Sequence, residues 1–222
     1  MKNSKEYSEQ LHKLQRGLVR AHTKIDKTIH DDPIDALIYG VISEKLPDSS
    51  AQRAMKEFRH TFVDWNDLRV ARPEEIVEIL QEDTTVSRAA AVSLTSALRA
   101  VFDEYHVVSL ETLKKMGKRP AKQVLETLDG VSPYVVSYCM LTSLQGHAIP
   151  LTEQMVDYLK RNGIVDPDAD LHDIEGFLTR QVAAKDAYEF YGTLRRESES
   201  PKLVKKTRKK RLQTKKVVKA KK

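Results

Sequence analysis

Apolar residues recur along most of this chain at the three-to-four spacing of an α-helix. Ile34, Leu37, Ile38, Val41 and Ile42 fall at i, i+3, i+4, i+7 and i+8, the stripe of a helix that buries one face. Asp32 before Pro33 supplies the start signal, a side-chain cap followed by a residue whose ring presets helical φ. The same pattern predicts one long amphipathic helix over 5–29, carrying Leu11, Leu14, Leu18, Val19 and Ile25. A helix capped by Asp48 or Ser49 carries Ala54, Met55, Phe58 and Phe62. Trp65 and Leu68 fall in a short connecting turn or helix. Pro73-Glu74-Glu75 opens another helix with acids where the dipole favours them. The longest helix of the body is expected over 86–104. A short one starts at Ser109 or Thr112 and stops at Gly117. Further helices are expected over 120–128, 132–144, 152–162, 169–181 and 185–196. Period-2 runs are missing, and Ile149-Pro150-Leu151 is too short to be a strand. Loops are short and no repeat of solenoid length is visible. The expected fold class is all-α.

Charge changes this picture at one end. The 222 residues carry 38 Lys+Arg against 32 Asp+Glu, a net +6. Residues 201–222 hold ten lysines, two arginines and no acid, a charge of +12, so the first 200 residues keep 26 basic against all 32 acidic groups and are net −6. A uniformly basic domain is thereby excluded. The pattern is a mildly acidic globular body bearing a polycation. At 40% apolar the body has enough hydrophobic surface for a core. One cysteine, Cys139, excludes a disulfide framework and any all-cysteine zinc or iron–sulfur site within one chain. The seven histidines form no H-x-x-x-H pair, so no metal site is expected. A polar start without a leader and the lack of a membrane-length apolar run predict a soluble, intracellular protein.

The most informative stretch is Leu128-Asp129-Gly130-Val131-Ser132-Pro133-Tyr134. A helix ends at Leu128, Gly130 permits a tight turn, Ser132 is a natural cap and Pro133 a natural first helical residue. Two helices joined in this way aim backbone N–H groups outward at a helix N-terminus, a geometry that binds phosphate without reading sequence. On physics alone, an ordinary helical hairpin with a glycine turn explains the same residues.

The wider order of motifs bears on that choice. Asp32-Pro33 through Ser43, Pro47-Asp48, Pro73-Glu74-Glu75-Ile76, Ser87-Arg88, Leu128-Asp129-Gly130-Val131 and Arg161-Asn162-Gly163 follow one another at the spacing of a known family. Over residues 30–196 the chain resembles the helix-hairpin-helix DNA glycosylases, endonuclease III above all. The resemblance implies a two-subdomain helical fold with a DNA-binding cleft, and excision of a damaged base flipped out of the duplex. It implies hairpin contacts to DNA from Gly130, Val131 and Ser132, with Ser132 in place of the family's second glycine. Where bifunctional members carry a Schiff-base lysine, this chain has Tyr134, and a phenol forms no such adduct. The family's essential aspartate falls at Thr152, which supplies neither negative charge nor a base. Glu153 is the neighbouring carboxylate, turned by about 100° on a helix. These three, Tyr134, Thr152 and Glu153, are the candidate catalytic positions. Lys45 stands at the family's wedge position, where a solvated surface lysine is the plain alternative. The four cysteines of the family's iron–sulfur loop are missing, so no cofactor is expected.

The domain expectation is an N-terminal amphipathic helix over 1–30 packing on the body, an endonuclease III-like helical domain over 31–197 with its hairpin at 120–144, and a disordered basic tail over 198–222. In the tail, Lys205, Lys206, Arg208, Lys209, Lys210 and Arg211 are candidate phosphate contacts with strong salt dependence. Lys118 and Arg119 are further candidates in the body. The expected function is a monomeric, double-stranded-DNA-binding protein related to base-excision repair, with damaged duplex as a candidate substrate, no AP-lyase chemistry and an impaired or specialised active site. Its expected place is the cytoplasm, associated with the nucleoid, or the nucleus in a eukaryote. A working monofunctional glycosylase and a non-enzymatic adaptor on the same scaffold are the alternatives.

Overall fold

In the structure, a computed structural model, residues 4–22, 25–81 and 83–200 are described. They form helices and turns, with no strand among the described residues. In chain order the α-helices are α1 (Ser4–Ala21), α2 (Pro33–Lys45), α3 (Asp48–Thr61), α4 (Trp65–Val70), α5 (Pro73–Leu80), α6 (Thr85–Tyr105), α7 (Lys118–Thr127), α8 (Pro133–Thr142), α9 (Glu153–Arg161), α10 (Leu171–Gln181) and α11 (Ala187–Ser198). Two 3₁₀ turns, Glu111–Lys115 and Ala184–Asp186, complete the set. The tail beyond Ser200, with Lys205, Lys206, Arg208, Lys209, Lys210 and Arg211, lies outside the described residues.

The chain divides into two units. The larger holds Asp26–Thr152 and Glu175–Tyr188, and the smaller holds residues up to Ile25, Glu153–Ile174 and the chain from Glu189. The N-terminal helix therefore groups with 153–174 and with the chain from Glu189.

The larger unit is built around α2. Pro33, Ile34, Ala36 through Ile42 and Ser43 are all buried, so this helix is enclosed on every side rather than on one face. α8 is enclosed in the same way, from Tyr134 to Met140. The two pack directly together, and α6 covers a further side of α2. Gly40 sets their separation: a Cβ there would meet Val135 Cγ1 at 3.2 Å. Fully buried Ile34, Leu37, Ile38, Ile42, Leu94 and Leu98 line this core, each stabilising the fold by roughly 1.5–3 kcal/mol. Cys139 on α8 is fully buried, and burial pushes its thiol far above the ordinary range.

The helix starts follow local chemistry. Asp32 accepts the Ile34 N–H at 3.0 Å, with Pro33 as the first helical residue. Asp64 accepts from Asp67 N–H at 2.8 Å. Thr84 and Ser87 form a reciprocal capping box at the head of α6. Asp48 differs from its expected role. It is the first residue of α3, not its cap, and its carboxylate accepts from the Tyr39 hydroxyl at 2.6 Å and from Gln52 at 2.9 Å.

The expected helix over 5–29 is shorter in the structure, since α1 ends at Ala21. Two of the backbone donors in the expected continuation are used elsewhere. Thr28 N–H donates to the Tyr188 hydroxyl at 2.6 Å, and His30 N–H to the Thr142 carbonyl at 3.1 Å. In the smaller unit, Leu11, Leu18, Met155, Leu159, Phe190 and Leu194 are buried. His22 Nε2 lies 2.9 Å from a Glu197 carboxylate oxygen.

Candidate nucleic-acid interface

α7 and α8 form the hairpin the sequence marks. α7 ends as Leu128 turns to extended backbone, and Val131 N–H closes the turn onto the Leu128 carbonyl at 3.2 Å. Gly130 has φ +78, the left-handed region where a side chain is strained. It also presses on α6: a Cβ would lie 2.6 Å from the Ser93 carbonyl and 2.8 Å from Ala97 N. Glycine is thus required twice at this position, by conformation and by space. Asp129, Gly130 and Pro133 are exposed, while Val131 and Ser132 are half-buried. Ser132 caps α8 by accepting the Val135 N–H at 3.3 Å. The turn therefore presents the positive end of the α8 dipole to solvent, the geometry of a backbone phosphate site.

Tyr134 follows one residue into α8 and turns inward. Its side chain is 3% exposed. Its hydroxyl lies 3.2 Å from Ser43 Oγ on α2, which in turn donates to the Gly40 carbonyl. The ring continues into a ladder that the sequence did not reveal. Tyr134 stacks on Tyr138, and Tyr138 stacks on Tyr39 at 5.3 Å. His30 closes the group, with Nε2 3.1 Å from the Tyr138 hydroxyl. Burial pushes this imidazole below its ordinary 6.5; Asp35 pulls it up and Arg59 pushes it further down. The only sequence trace of the ladder is the i, i+4 pair Tyr134 and Tyr138, which share a helix face. One turn beyond Tyr134, buried Ser137 donates to the half-buried Glu175 carboxylate of α10, a contact that sequence reading also missed.

The remaining candidates are placed differently. Thr152 is 8% exposed and ends the larger unit. Glu153 is exposed and opens α9 in the smaller unit, where an acid favours the helix dipole. Lys45 is exposed in the last turn of α2, its amine 3.3 Å from Glu44. Among the described residues no group of three or more His, Cys, Asp or Glu is arranged to hold a metal ion. No helix among them is long and apolar enough to cross a membrane.

No family model matches the chain. An Arabidopsis thaliana protein named "Putative DNA glycosylase" is 24% identical over 158 residues, which are 71% of this chain and 54% of that protein. The chain thus spans about half the length of that relative. Among solved structures, it is similar to endonuclease III in a non-covalent DNA complex, with a TM-score of 0.67 and 15% identity over 85% of this chain and 84% of that one. A trapped covalent endonuclease III–DNA intermediate gives 0.66 and 14% over the same shares. A thermostable thymine-DNA glycosylase gives 0.64 and 13%, over 87% of this chain and 89% of that one.

Proposed function

We propose, on the premise that this chain has the all-helical fold of endonuclease III and related helix-hairpin-helix DNA glycosylases, that it is a duplex-DNA-binding protein of base-excision type without AP-lyase chemistry. The observation that carries the reading is the hairpin turn. Gly130 in left-handed conformation seats the turn on α6, and Ser132 with Pro133 starts α8 at the exposed tip. Phosphate oxygens dock on the amides of this turn, and the protein gains position on the duplex without reading sequence.

The chemistry is argued from two positions. A lyase of this fold needs an amine where Tyr134 stands, and this phenol is buried against Ser43. Base release needs a carboxylate to stabilise the positive charge developing on the sugar, and Thr152 has none. What remains is recognition of duplex, or of a lesion in it, with catalysis impaired. The second reading, a monofunctional glycosylase, is favoured by one observation: Glu153, next to Thr152, is an exposed carboxylate. The polycation over 201–222 adds sequence-independent phosphate affinity in either case.

The deciding experiment is a duplex panel carrying uracil, thymine glycol, oxidised guanine, alkylated purine and mismatches. The first reading expects binding without base release. Release that is abolished by Glu153→Gln establishes the glycosylase instead. Gly130→Arg should weaken duplex binding at low salt, and binding unchanged by it sinks the hairpin reading and leaves the adaptor.

A further inference from the structure

The larger unit carries 21 acidic against 16 basic side chains. Five of those cations, Lys114, Lys115, Lys118, Arg119 and Lys122, fall between Glu111 and Glu126 with no acid among them. One stretch of an acidic unit thus has the opposite sign, and all five residues are exposed. Among the described residues, the ion pairs of this run are Lys114 with Glu111 at 2.7 Å and Lys122 with Glu126 at 3.6 Å. Both lie at its ends, so Lys115, Lys118 and Arg119 between them face no matching charge.

The run borders an open groove of about 490 Å³. Its walls come from the 3₁₀ turn at 111–115 and the residues after it, the end of α8 and the segment before α2. Buried Leu113 and Leu144 line it, and so do Ile29 and Met116, which are 58% and 40% exposed. A single apolar side chain in water is ordinary. Two in the wall of one groove, continuous with buried leucines and rimmed by cations, make the anatomy of a docking surface: an apolar centre inside a charged rim.

We propose that this groove docks an acidic segment of another protein, with an apolar side chain of that segment against Ile29, Leu113, Met116 and Leu144, and its carboxylates against Lys118 and Arg119. The charge of the rim is complementary to such a segment, and it steers the encounter while the apolar contact holds the complex. Duplex DNA fits less well. Its phosphates would meet the cations, but they bring no apolar group to the leucines. Asp31 also lines the groove and repels phosphate, whereas it accepts a main-chain N–H of a peptide. The groove lies at the other end of α7 from the hairpin turn and does not depend on the function proposed above.

The test is fluorescence anisotropy of the full chain with labelled peptides rich in Asp and Glu that carry one central Leu, Phe or Trp. Each is compared with a peptide of the same charge that has Ser at the centre. The basic terminus attracts both members of a pair alike, so the difference between them reads the groove. At least one apolar member should bind about tenfold more tightly than its Ser counterpart, as expected for one buried anchor. Ile29→Ser with Met116→Ser should erase that difference and leave Tm nearly unchanged, since both side chains stand partly in solvent. Lys118→Gln with Arg119→Gln should weaken both members and flatten their salt dependence. The docking surface is overturned if every pair binds equally, or if the difference survives the Ile29/Met116 change. It is equally overturned if the Lys118/Arg119 change leaves the peptides unaffected and weakens duplex binding alone, because the run then belongs to nucleic acid.

Discussion

At the scale of single residues, Gly130 is the position where sequence and packing agree most narrowly. Gly130→Ala places a methyl group in left-handed backbone and against the Ser93 carbonyl at 2.6 Å. The expected loss is roughly 2–3 kcal/mol by urea unfolding, since strain and overpacking act together. The left-handed turn was legible in Leu128-Asp129-Gly130. The pressure from α6 was not, because Ser93 and Ala97 are more than thirty positions away and nothing local marks them. Tyr134 teaches the converse. Its identity tells that no lysine is present, yet its burial depends on Ser43 and Tyr138 arriving from elsewhere. Tyr134→Phe is expected to cost about 1 kcal/mol, the net worth of one buried hydroxyl bond, and Ser43→Ala in the same background should add little beyond it. His30 gives a pH signature. Its folded pKa lies below the unfolded 6.5, so the unfolded chain binds the proton first. Stability from this group is therefore full above 6.5 and declines as pH falls through that value toward the lower folded one. Replacing His30 with Gln should flatten that part of the Tm–pH curve.

At the scale of elements, the starts of α2 and α8 were readable, while the cap of α3 and the end of α1 were not. Asp32-Pro33 and Ser132-Pro133 each combine a cap with a preset φ, and both open helices as the sequence implies. Thr84→Ala removes the reciprocal cap of α6 and should cost about 1 kcal/mol, measured against Thr84→Ser, which keeps the oxygen. α1 was expected to run eight residues too far because Ile25 and Ile29 keep the apolar rhythm beyond Ala21. Rhythm reports which side chains seek the core, not where the backbone donors go. Thr28 and His30 donate to Tyr188 and Thr142, partners about 160 and 112 positions away that only the folded chain supplies. The asymmetry is physical: a cap is written within four residues, whereas a stop without glycine or proline is set by tertiary competition.

At the scale of the whole molecule, charge is divided between an acidic first 200 residues and a +12 terminus. Neutralising Lys205, Lys206, Arg208, Lys209, Lys210 and Arg211 to Gln in the full chain should lower the slope of log affinity against log salt by up to about 5, near 0.9 for each phosphate no longer neutralised. Under the proposed function, any preference for one duplex over another should persist, since that reading assigns it to the hairpin body. The all-helical class and the family likeness were legible from motif order, since caps and turns are each written within a few neighbouring residues. The likeness implied two subdomains, but which segments make up each unit was not legible, because those segments lie far apart in the chain. One further property belongs to the molecule as a whole. Its single thiol, Cys139, is sealed in α8 with its ionisation suppressed by burial, so it scarcely reacts with alkylating reagents at neutral pH. The natural chain is thus already prepared for single-site labelling. A cysteine placed at exposed Asp129 would carry a fluorophore at the hairpin tip alone, and would test the proposed docking of that tip on a duplex in real time.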